Sequence, residues 1–211
     1  MCNDEPVEID SSASPEPHGT GLRMQYQETR QWCWIAIGTS VDRFYNPASR
    51  STQCTIMTAI GRDIYRYPAD TTACPSEAAV ASVPGLAAVL ANPYQVTARY
   101  ALDNPSLGIN RLYIKPGSVS DALRVRGHWA GARDSALPLG DISREIHSGR
   151  PVVATIKWPY GTEHFVAIAG VAGDTLLILD PENGQSIVPF GSFPGSYFGG
   201  ASLIEYHLTK P

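Results

Sequence analysis

Gln31-Trp32-Cys33-Trp34-Ile35-Ala36-Ile37-Gly38-Thr39-Ser40-Val41-Asp42-Arg43-Phe44-Tyr45 is the stretch that decides the fold. Trp32, Trp34, Ile37, Val41, Phe44 and Tyr45 recur mostly at three- and four-residue steps, the spacing of one helix face. Asn46-Pro47 stops the run, because proline disfavours helical backbone in the residue before it. The spacing predicts a helix over about 33–45, and Cys33 opens it. A thiol at a helix N-terminus meets free N–H groups and the positive end of the helix dipole, and both favour a thiolate. Trp32 and Trp34 would partly exclude water from it. The plainer alternative is a small buried cysteine that only packs.

Outward from this helix, Thr52 is placed to cap a second one over about 53–64, with Ile56, Met57, Ile60 and Ile64 inward. Ser76 and Pro84-Gly85 mark two further short helices, and residues 94–100 alternate like a half-buried strand. Residues 103–140 resist placement apart from a short strand at 111–114. Asp141 is expected to cap a helix over 142–148 that Gly149 ends. Five strands follow, at 151–158, 164–171, 175–180, 186–190 and 202–208, with a turn at Ala172-Gly173-Asp174. Helices first and an antiparallel sheet second is the α+β class. Residues 1–20 hold five acids and three prolines with little to bury, so a flexible tail is expected there. Residues 21–211 then form one domain, with a helical half over about 30–92 and a sheet half over about 94–211.

The chain of 211 residues is 43% hydrophobic, enough for a core without a disulfide scaffold. Sixteen basic against 20 acidic residues give a net charge of −4, which argues against nucleic acid as a partner. The longest uncharged stretches are broken by proline and glycine, so no membrane span is expected. No basic region followed by an apolar run marks a Sec signal, so a cytoplasmic chain, or one exported by another route, is expected. Of the cysteines, Cys2, Cys33, Cys54 and Cys74, none sits at zinc-finger spacing. For Cys54 and Cys74 a disulfide or two buried thiols is the better reading than a metal site. HExxH, GxSxG and phosphate-loop motifs are missing. No cofactor or metal is expected.

A cysteine nucleophile needs a base, and the candidates are His18, His128, His147, His164 and His207. His164 stands out, because it follows Gly161-Thr162-Glu163 and begins an apolar strand, where a side chain is rigidly held. Asp180 ends the next strand. With a three-residue turn between them, opposed residues sum to 346, so Asp180 faces Val166 and lies diagonal to His164 on one face. A plain Asp-Pro turn starter is the alternative for Asp180. Gln27, six residues before Cys33, offers a side-chain amide that would join a backbone N–H in holding an oxyanion.

Four segments together resemble the papain-like cysteine peptidases of bacteria: Gln27-Glu28-Thr29-Arg30-Gln31-Trp32-Cys33-Trp34, Gly149-Arg150-Pro151-Val152-Val153, Gly161-Thr162-Glu163-His164-Phe165-Val166-Ala167-Ile168 and Leu179-Asp180-Pro181. The likeness is greatest to the branch that includes the AvrRpt2-type effector peptidases and the C39-like peptidases. It covers about 25–60 and 142–208 but not 70–140. It implies a papain-like α+β fold, with a helical half packed on an antiparallel sheet and the active site in the cleft between. It also implies roles: Cys33 as nucleophile, His164 as base, Asp180 orienting the imidazole, Gln27 in the oxyanion hole. Two features depart from the family. Ile35-Ala36 stands where two small residues often follow, with a helix-weakening Gly38 beyond, and the acid is Asp rather than the Asn of plant papain. The implied reaction is hydrolysis of a peptide or isopeptide bond in a protein or peptide substrate, by a monomer. The rivals are a thiol amidase, deamidase or transglutaminase-like acyl transferase on the same machinery, and a catalytically dead binding module.

Overall fold

A computed structural model of the chain describes residues 18–28, 32–64, 118–134 and 136–211. The expected helices from Ser76 and Pro84 and the strands at 94–100 and 111–114 lie outside these residues, as does most of the tail. The first helix, α1, runs Cys33–Tyr45, as the spacing predicts. Its residues are buried from Cys33 to Asp42, on all sides rather than one, so it is a central helix and not a surface one. The second, α2, spans Gln53–Asp63. A reciprocal cap opens it: Thr55 N donates to Thr52 Oγ1 at 3.1 Å, and Thr52 N donates to Thr55 Oγ1 at 2.8 Å.

The strands β1 (His18–Gly19), β2 (Trp129–Arg133), β3 (Val152–Lys157), β4 (Glu163–Ala172), β5 (Thr175–Asp180), β6 (Gly184–Pro189) and β7 (Ser202–Thr209) form one antiparallel sheet in the order β2-β7-β3-β4-β5-β6. β1 pairs with the end of β4 that β3 leaves free, His18 against Val171 and Gly19 against Gly170. The sheet thus claims the end of the expected tail, because those backbone groups find partners on β4. The five strands read from the sequence all form, each within two residues of the expected bounds.

The helices are not confined to the first half. A short α3 (Val119–Arg124) packs on α1, and α4 (Leu139–His147) covers the opposite face of the sheet. Pro138 occupies the α4 cap position and Asp141 sits in the first turn, so Asp141 complements the helix dipole instead of capping. Gly149 ends the helix with φ +70°. Two apolar clusters result. One joins α1, α2 and α3 to Val153, Phe165, Ala167, Ala169 and Leu179. The other joins Ile142 and Ile146 of α4 to Val152, Ala154, Val166, Ile168 and Ile178. The architecture is three layers, helices–sheet–helix, with alternate residues of β3, β4 and β5 serving the two faces.

Candidate active site

Cys33 is the first residue of α1, and Trp32 at the cap position offers no side-chain hydrogen bond to the helix end. The thiol is a free, buried cysteine. Cys54 is disulfide-bonded, and both cysteines that remain as its partner lie outside the described residues.

His164 opens the inward part of β4 and is 3% exposed. Its Nε2 bonds to Asp180 Oδ1 at 2.8 Å. The ring also lies beside the Cys33 thiol, whose influence favours the protonated imidazole. Burial alone would make the imidazole easier to deprotonate. The hydrogen bonds and charges of Asp180 and Cys33 more than offset it, and the His164 pKa is pushed up to about 10. Asp180 is fully buried and receives five hydrogen bonds. Oδ1 accepts from His164, from Glu182 N at 2.7 Å and from Asn183 N at 3.0 Å. Oδ2 accepts from Asn183 Nδ2 and from the Tyr197 hydroxyl, both at 3.0 Å. Burial works against the charged form, but the bonds from His164, Asn183 and Glu182 and the charge of His164 hold the carboxyl below its ordinary range. The Asp-Pro turn and the histidine partner are therefore one residue serving both ends.

The route to this contact differs from the expected register. The β4–β5 turn has two residues, since Ala172 pairs with Thr175. A β-bulge between Ile168 and Gly170 then restores the lost residue, so that Ala167 faces Leu179 and the sum of 346 holds where it matters. Trp158, in the β3–β4 turn, lies on the His164 ring with centroids 5.8 Å apart and planes at 26°. Tyr160 and Tyr197 stack on Trp158 in turn, each at 6.2 Å.

Gln27 lies in the strand-like loop before α1, and its backbone N–H donates to Pro181 O at 2.9 Å, one residue past Asp180. Its side chain is buried, with Oε1 unpartnered. An amide oxygen only accepts, so an oxyanion would take its hydrogen bond from the Nε2 end of this side chain. Gln53, fully buried at the start of α2, pins this loop: Glu28 N donates to its Oε1 at 2.9 Å, and its Nε2 donates to Tyr26 O at 2.7 Å. Burial pushes the Glu28 carboxyl up to about 7, against a smaller pull from Arg43.

The other histidines sit elsewhere. His128 forms a second histidine–carboxylate pair, with Nε2 3.2 Å from Asp42 Oδ1, but its Nδ1 is held by Lys210 O at 3.0 Å. Both ring nitrogens are engaged, so nothing is left for a thiol. His147 bonds back into α4 through Ser143 O. His207 faces Thr155, and burial lowers it to about 4. For His18 only the strand backbone is described. The aromatic loops at 158–160 and 193–198 read as pocket lining from the sequence, without Trp158 or Tyr197 being singled out, and Gln53 was missed. Among the described residues no group of three or more His, Cys, Asp or Glu side chains gathers as a metal site would need. Among the same residues no helix is long and apolar enough to cross a membrane.

No protein-family profile matches the chain, and no curated protein matches it. Among solved structures, the crystal structure of the Pseudomonas avirulence protein AvrPphB is similar to 81% of this chain and 94% of its own, with 9% identity and a TM-score of 0.28. A likeness of that size leaves the site to be argued from the chain's own residues.

Proposed function

We propose that this chain is a papain-like cysteine peptidase that hydrolyses a peptide or isopeptide bond through Cys33, His164 and Asp180. The observation that carries the reading is the continuous chain from the free thiol at the head of α1, through the imidazole, to a buried carboxylate. An imidazole held protonated beside a thiol favours a thiolate–imidazolium pair. In this reading Cys33 Sγ attacks the carbonyl carbon and the oxygen takes the negative charge. His164 gives its proton to the leaving amine as the C–N bond breaks, leaving a thioester. The neutral imidazole then takes a proton from water, and the hydroxide formed attacks the thioester and frees the acid. Asp180 keeps the ring oriented and supports its charge, and Gln27 supplies an amide for the oxyanion.

The test is to incubate the wild type and Cys33→Ala with a mixed peptide library and, separately, with muropeptides. Cleavage of peptides by the wild type alone, with a thioester on Cys33 seen by mass spectrometry, is the expected result. Turnover of muropeptides only would move the reading to a thiol amidase. No acyl-enzyme with either would leave a binding module.

A further inference from the structure

We propose that Tyr197 is a positioning residue of this site, fixing the Asp180 carboxylate so that Oδ1 faces the imidazole; the proposal rests on the thiol-hydrolase reading above. Its ring is buried at 3% exposure and its hydroxyl donates to Asp180 Oδ2 at 3.0 Å. The other donors to Asp180, besides His164, come from Glu182 and Asn183 of the same turn and move with it. Tyr197 comes from a different segment, the short 3-10 turn Tyr197–Gly199 ahead of β7. It therefore ties the carboxylate to a separate part of the fold.

Three further observations point the same way. The Tyr197 ring stacks nearly parallel on Trp158, at 9°, and Trp158 lies on the His164 ring. One side chain thus backs the acid directly and the imidazole through one intermediate. Burial, and the negative charge of Asp180 beside it, hold the phenol well above its ordinary range, so it stays a donor wherever the thiol works. Next to it, Phe198 has φ +41°, the one positive φ outside glycine among the described residues. A bulky residue is costly in that conformation. The backbone turn it makes sends the Phe198 ring outward, 59% exposed, while Tyr197 points in.

The test compares Tyr197→Phe with Tyr45→Phe, which removes a hydroxyl bonded to Thr209 Oγ1 at 2.7 Å, away from the site. Phe is chosen over Ala because it keeps the stacked ring and the fold. The probe is iodoacetamide, and the readout is the rate of Cys33 alkylation from pH 3 to 8. With one donor fewer, Asp180 is protonated more easily, so the acid limb of the Tyr197→Phe profile should move up by about one pH unit. Tyr45→Phe should keep the wild-type profile while losing a similar amount of stability. A wild-type profile in Tyr197→Phe, in a chain whose labelling still depends on His164 and Asp180, would overturn the Tyr197 role alone. Wild-type labelling that is indifferent to His164→Ala and Asp180→Ala would overturn the thiol-hydrolase reading, and the proposal with it.

Discussion

A side-chain amide acts on a reaction only where charge appears, and that decides what Gln27 should do. Its side chain is buried, and its backbone is stitched to Pro181 beside the acid. An amide aimed at a developing oxyanion is worth more in the transition state than in bound substrate. Gln27→Ala should therefore lower kcat by about 100- to 1,000-fold with KM little changed. Alkylation of Cys33 makes no oxyanion, so labelling should proceed almost as before. Gln185→Ala, at an exposed position on β6, is the neutral comparison. Steady-state kinetics and labelling on the same preparations separate the two effects. Unchanged kcat in Gln27→Ala would hand the hole to backbone N–H groups at the head of α1.

Among the elements, Gly38 explains a weakness that the sequence alone made puzzling. Glycine inside a helix costs about 1 kcal/mol against alanine. Here a Cβ at position 38 would stand 2.5 Å from the Ala122 Cβ of α3, so the crossing of α1 and α3 requires the gap. Gly38→Ala should destabilise the chain by about 1–3 kcal/mol in urea unfolding, despite its better helix propensity. Ala122→Gly in the same chain should recover part of the loss. The long periodic helix, the capped second helix and the five later strands were legible because each carries its own pattern. α3 and β2 were not, since Val119, Ala122 and Leu123 cover less than two turns and Gly131 blurs a strand of five residues. The diagonal of His164 and Asp180 was reached through a turn one residue too long, compensated by a bulge that no local signal announces. The loop that holds Tyr197 was legible as an aromatic pocket lining, but its hydrogen bond to Asp180 was not, because that contact is wholly tertiary.

At the scale of the molecule, buried titrating groups set how stability follows pH. Glu28 is raised to about 7, so folding favours its protonated form, and stability falls as pH rises from 4.5 through 7. His207 is lowered to about 4, so folding favours its neutral form, and stability rises with pH from 4 to 6.5. Between about 4.5 and 6.5 the two slopes oppose. His164, raised to about 10, contributes stability that is full below 6.5 and is lost as pH climbs through 10. Asp180, held below its ordinary value, contributes stability lost only as pH falls below 3.8. The unfolding midpoint should be nearly flat from pH 4.5 to 6.5 and decline on both sides. In Glu28→Gln the plateau should tilt upward with pH, by up to about 1.4 kcal/mol per unit, because the largest opposing slope is gone. A plateau unchanged in that variant would mean that Glu28 is ionised inside the fold. The sheet order adds a consequence in the time of synthesis. β7, at residues 202–209, lies between β2 and β3, so the sheet cannot close until that last strand has been made. Cys33 is translated early and its imidazole and carboxylate late. Through most of its own translation the thiol therefore lacks the imidazole and carboxylate that the fold sets in line with it, and the three meet only once β7 has been made.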